Sequence, residues 1–171
     1  LFKELTTAGR REGGLWSAAG TLGAGAGNSV RLALLGILFR SSGLPEQYAP
    51  ARFVLWLMQN GYYKDVKASV ERNGRDFAKE LNNMYVSPVL AESLLAIYPG
   101  FASSPAEARS LLKAQYPNKV DISDDELLRT MQDVLELQST TPGKLPCTLL
   151  IFDELQQFIG EDPQRTTHVQ N

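Results

Sequence analysis

The chain has 171 residues, 43% hydrophobic and 21% charged, with a formal net charge of −2. This is roughly one domain of ordinary soluble composition, and its bulk charge does not point to nucleic acid. One cysteine (Cys147) and one histidine (His168, in a polar tail) exclude internal disulfides, a zinc cluster and a well-placed catalytic His pair. No apolar run approaches the ~18 residues needed to span a bilayer, and no signal peptide is visible, so a cytoplasmic protein with no membrane partner is expected.

In chain order, residues 1–12 read as the end of a helix that closes on Gly13-Gly14. Leu15 to Ala19 reads as a short strand, and Gly20 to Gly27 is a glycine-rich loop. Asn28 or Ser29 can cap the next helix, Val30 to Phe39, which is apolar nearly all round and so is expected to be buried. Ser41-Ser42-Gly43-Leu44-Pro45 breaks it. From about 46 to 140 the pattern is helical. Ala51 to Asn60 is apolar and aromatic and ends at Gly61, while Tyr62 to Arg72 and Asp76 to Tyr85 are more polar. Ser87-Pro88 has the form of a helix start. Ser104 with Glu107, and Ser123 with Glu126, have the spacing of capping boxes. The second box opens a helix with Leu127, Leu128, Met131, Val134 and Leu135 on one stripe. Trp16 and Trp56 read as core, since basic residues are sparse beside them.

Turn chemistry from Thr141 to Pro146 precedes the last strand, Thr148-Leu149-Leu150-Ile151-Phe152, which ends in Asp153-Glu154. Glu154 to Ile159 again looks helical. An unbroken apolar run of this kind reads as a strand covered on both faces, in a parallel sheet. A buried strand delivering Asp-Glu at its C-terminal end has the Walker B arrangement of nucleotide hydrolases. There Asp153 would hold the Mg²⁺ shell under the phosphates, and Glu154 would polarise the attacking water. The competing reading is a pair of acids capping the next helix.

The glycine loop fits a phosphate loop less well. In G-x-x-x-x-G-K-[ST], Gly27-Asn28-Ser29 takes the last three positions, so Asn28 replaces the lysine and Leu22 the first glycine. The dinucleotide pattern fails as well, because Gly23 and Gly25 would need a third glycine at Asn28. Backbone N–H groups around Gly23, Gly25, Gly27, Asn28 and Ser29 remain a candidate anion cradle. Asp121, Asp124 and Asp125 lack EF-hand spacing and read as acids at a helix start.

The run from Thr148 through Glu154 to Leu155-Gln156-Gln157-Phe158-Ile159-Gly160 resembles the Walker B region of the large P-loop ATPases of bacteriophage-exclusion (BREX) systems, the BrxC/PglY type. Gly13 to Phe39 resembles the second core strand and helix of such ATPases. The resemblance implies an additional-strand, AAA+-like core in which the second strand lies beside the Walker B strand. It also implies ATP and Mg²⁺ as cofactors of the parent protein. The implied function is ATP hydrolysis coupled to DNA or protein remodelling in phage defence. The implied partners are the remainder of the ATPase core and other defence-system proteins, with DNA contacted indirectly if at all. No G-x-x-x-x-G-K-[ST] occurs in these 171 residues. Because the chain starts at Leu1 and stops soon after the Asp-Glu strand, the sequence reads as an internal fragment, inactive alone.

The expected fold is therefore α/β and helix-rich, with few parallel strands. Residues 1–43 would be partial core, 44–140 a helical insertion, and 141–171 the Walker B strand with its helix. Two further function classes stay open: a non-catalytic helical protein-interaction module, and a nucleotide-binding regulator using the degenerate glycine loop.

Overall fold

The computed structural model describes residues 2–21 and 29–153, apart from the side chain of Phe2. Gly23, Gly25, Gly27, Asn28 and Glu154, and the helix expected at 154–159, lie outside the described residues.

The described chain is helix-rich α/β. Its elements are α1 (Phe2–Arg11), β1 (Leu15–Thr21), α2 (Val30–Ser41), α3 (Tyr48–Gln59), α4 (Tyr63–Arg72), α5 (Phe77–Asn82), α6 (Pro88–Ile97), a 3₁₀ turn (Pro99–Phe101), α7 (Pro105–Gln115), α8 (Asp124–Gln138) and β2 (Cys147–Asp153). Two compact units result, one of residues 1–46 with 120–171, the other 47–119. The sequence reading set the insertion at 44–140; α8 instead packs on α2 within the first unit.

In that first unit β1 and β2 form a parallel pair whose register runs from Leu15 beside Cys147 to Thr21 beside Asp153. The amino end of the pair is clamped by backbone. The Gly13 N–H donates to the Leu145 carbonyl (2.9 Å), the Thr140 N–H to the Gly13 carbonyl (2.7 Å), and the Cys147 N–H to the Gly14 carbonyl (2.8 Å). Glycine is required at 13 because a Cβ there would lie 2.3 Å from Ser139 Oγ and 2.7 Å from the Lys144 carbonyl oxygen.

Strand side chains alternate between faces. On one face Trp16, Ala18, Leu150 and Phe152 pack against Val30, Ala33, Leu34 and Ile37 of α2. Gly20 lets α2 approach closely, since a Cβ there would meet Ile37 Cγ1 at 2.9 Å. The other face meets α1 at Leu15, whose side chain abuts Gly9. Beyond α1 this face is open: Leu149 and Ile151 are each 52% exposed. The expectation of a strand covered on both faces is therefore corrected among the described residues. An unbroken apolar run carries no label for which face is covered, and among the described residues the α2 side is covered and the opposite face only in part, by α1.

The 47–119 unit is all helical, with Phe53, Leu57, Val66, Val70, Leu90, Leu94 and Leu112 fully buried. Trp56 packs among the rings of Phe53, Tyr62, Tyr98 and Phe101, at centroid distances of 5.8–6.3 Å, as a half-buried side chain at the edge of the core. The expected helix starts form through local hydroxyl caps. Ser87, Ser104 and Ser123 accept from the N–H groups of Leu90, Glu107 and Glu126. The Ser104 box is shifted by one residue, because Glu107 reaches back to the Ser103 N–H (2.7 Å) and the Ser103 hydroxyl.

Candidate functional site

Parallel strands present their side chains to a ligand at their carboxyl ends, where the loops that follow can close over it. In this sheet that edge carries Thr21 and Asp153, adjacent in register and on one face. Both are exposed. Apolar Leu150 and Phe152, anchored on α2, fix the strand and so hold Asp153 at the edge. Asp153 makes an interaction of its own and is not a free carboxylate. Glu154, the expected general base, is the next residue in the chain.

The other end of the expected site is Ser29. Its backbone is extended (φ −62°, ψ 155°), and its Oγ accepts from the Leu32 N–H at 3.2 Å, which makes it the N-cap of α2. The same hydroxyl is the largest influence holding the Asp121 carboxyl below the usual range. Burial opposes the shift, and the Ile122 N–H and Arg31 add to it. Arg31, in the first turn of α2, binds Asp124 through Nε (2.5 Å) and Asp121 through Nη1 (3.2 Å). These partners raise the Arg31 pKa, the Asp124 hydrogen bond most, against a smaller cost of burial.

The start of α2 is thus closed by its own chemistry. Ser29 already caps the helix by accepting from the Leu32 N–H, and Asp121 supplies the negative charge that a helix N-terminus attracts. A phosphate arriving there would meet that carboxylate. Sequence reasoning missed this bracket, since it took Asp121 and Asp124 only as acids of a helix start. The signal was Arg31, a cation in the first turn of a mostly apolar helix, where no acid of that helix can pair with it, so that it needs an acid from elsewhere in the chain.

Among the described residues no group of three or more His, Cys, Asp or Glu side chains could hold a metal ion, and no helix is long and apolar enough to cross a membrane. Comparison with known protein families, curated proteins and solved structures gives no match for this chain.

Proposed function

We propose that the carboxyl edge of the β1–β2 pair is the acidic half of a nucleotide-hydrolysing site of the P-loop, additional-strand type. Asp153 would hold the Mg²⁺ shell and Glu154 would orient the attacking water. The observation that carries this reading is the parallel register that sets Asp153 beside Thr21 at the sheet's carboxyl end. A cap-only role for Asp153 would not require a second strand beside it, from the other end of the chain. The phosphate cradle has no counterpart in residues 1–171, because the G-x-x-x-x-G-K-[ST] pattern does not occur and Ser29 is already engaged. This chain alone should therefore hydrolyse ATP at no measurable rate. The parent would be an ATPase of phage defence acting on DNA or protein.

The test has two parts. Reading the coding sequence ahead of Leu1 should show a strand followed by G-x-x-x-x-G-K-[ST]. In the product of that longer reading frame, Glu154→Gln should abolish hydrolysis and leave ATP binding intact. Absence of the loop, or turnover indifferent to Glu154→Gln, rejects the proposal. So would robust turnover by residues 1–171 that Glu154→Gln abolishes.

The second reading, a helical interaction module, is favoured by one observation: residues 47–119 form a compact unit with fully buried apolar side chains. The two readings are compatible in one chain, because the acids and the helices belong to different units.

A further inference from the structure

The net charge of −2 hides a division. Residues 47–119 hold nine Lys and Arg against six Asp and Glu, whereas the rest of the chain holds eight against thirteen. Within the helical unit most acids are engaged by the fold. Glu71 pairs with Lys67 (3.9 Å), Asp76 caps α5 by accepting from the Lys79 N–H (2.8 Å), Glu80 accepts from the Ser87 hydroxyl, and Glu107 binds Ser103. Asp65 sits in the first turn of α4, where the helix dipole favours an acid.

The cations of the α4–α5 corner are in the opposite situation. Lys64, Arg72, Arg75 and Lys79 are all exposed, and none has an ion-pair partner among the described residues. Arg72 makes only a 3.3 Å bond from Nε to the Ala68 carbonyl. Lys64, Ala68 and Arg72 follow one another at i+4, so they share a stripe of α4 with a small residue between the two charges. That stripe is about 12 Å long at a rise of ~1.5 Å per residue. Gly74, at φ 72°, then turns the chain so that Arg75 and Lys79 continue the corner onto α5.

We infer that this corner binds the phosphate backbone of a nucleic-acid duplex without reading its sequence. A duplex carries a phosphate every ~3.4 Å along each strand, so a stripe of about 12 Å spans three to four of them. Arg72 and Arg75 bring guanidinium groups suited to phosphate oxygens. The corner's one amide side chain is not free for bidentate reading of adenine, because the Asn73 amide donates to the Ser69 carbonyl at 2.9 Å. An acidic peptide fits less well. Protein interfaces centre on apolar or aromatic anchors, and Val86, past the far end of α5, is the sole exposed large hydrophobic in the described residues of this unit. The inference does not rest on the nucleotide reading, since no group in it belongs to the sheet.

The test is fluorescence anisotropy of a labelled, random-sequence DNA duplex titrated with residues 1–171 at two salt concentrations. With three to four phosphates neutralised, doubling the salt should weaken binding about eightfold. The triple change Arg72→Gln, Arg75→Gln, Lys79→Gln should remove binding, while Arg129→Gln on α8 leaves it unchanged. Should the triple variant fail to fold, each single change should still lower the log–log salt slope by about one. Failure of the wild-type chain to bind at low salt, or unchanged slopes in the variants, overturns the inference. Competition by polyglutamate as effective as that by duplex also overturns it, and assigns the corner to an acidic protein partner.

Discussion

Gly13→Ala tests the clamp that sets the strand register. The added methyl would stand 2.3 Å from Ser139 Oγ, 2.7 Å from the Lys144 carbonyl oxygen and 2.9 Å from the Leu145 carbonyl carbon. The Ser139 side chain can rotate away, but the other two are backbone atoms. They are held by the hydrogen bonds of Gly13 to Leu145 and Thr140, and by the Ser139 hydroxyl on the Lys144 carbonyl (2.6 Å). The loop must move by about half an ångström or more, at an overpacking cost of about 1–3 kcal/mol. Loosening the two clamp hydrogen bonds adds about 1 kcal/mol. A total near 3 kcal/mol is a change of about a hundredfold in the local opening equilibrium. Amide hydrogen exchange reads it directly: protection in 14–21 and 146–153 should fall by about that factor, while protection in 47–119 stays. Gly143→Ala is the control, since its Cβ meets nothing within 4 Å and only its φ of 76° resists a side chain, a cost of roughly 1–2 kcal/mol. Equal losses in the two variants, or a loss centred in 47–119, would refute the steric argument.

Three further outcomes are expected. The Ser93 hydroxyl is buried without a hydrogen-bond partner among the described residues, so Ser93→Ala should raise thermal stability by up to about 1 kcal/mol; a lowered melting point would show that the hydroxyl is satisfied. Burial pushes the Tyr116 phenol up to about 12, against a smaller opposing pull from Arg52. Its neutral form is the folded form, so the stability it contributes is whole below pH ~10 and is lost as pH rises toward 12. An ultraviolet titration should show a late tyrosine that Tyr116→Phe removes, and titration of all six near the ordinary value would reject this. The Asp121 carboxyl lies below its ordinary 3.8, so its contribution is whole above that pH and fades as pH falls through the folded value. Asp121→Asn should therefore flatten the acid limb of denaturant midpoints between about pH 5 and 3, and an unchanged limb would count against the Ser29–Asp121–Arg31 bracket.

What was legible in the sequence was mostly local. Ser87, Ser104 and Ser123 announce helix starts because the cap's oxygen and its N–H donor are three residues apart. The two strands were legible from their flanking glycine and proline turns, and their parallel pairing was expected from the unbroken apolar run and from the resemblance. Less legible was everything decided at a distance. Arg31 meets Asp121 ninety positions away, and no periodicity encodes that. Nor could the run 149–152 show that Leu150 faces α2 while Leu149 and Ile151 face outward, since all three are equally apolar. At the candidate site, Asp153 could be placed from its strand. The Asp121 charge beside the start of α2 could not, because it is brought there from ninety positions away.

The entrance and exit of the helical unit have a consequence for how such a chain can be built. Lys119 Nζ lies over the Tyr48 ring, 5.8 Å from its centre, so the unit's two ends are neighbours. A segment that leaves close to where it entered behaves as a cassette. Excising 47–119 in favour of a short Gly-Ser bridge should leave β1 able to find β2, since each halving of an intervening loop alters closure by only about 0.6 kcal/mol. The same geometry lets the helices be exchanged or lost between variants of the protein without redrawing the sheet.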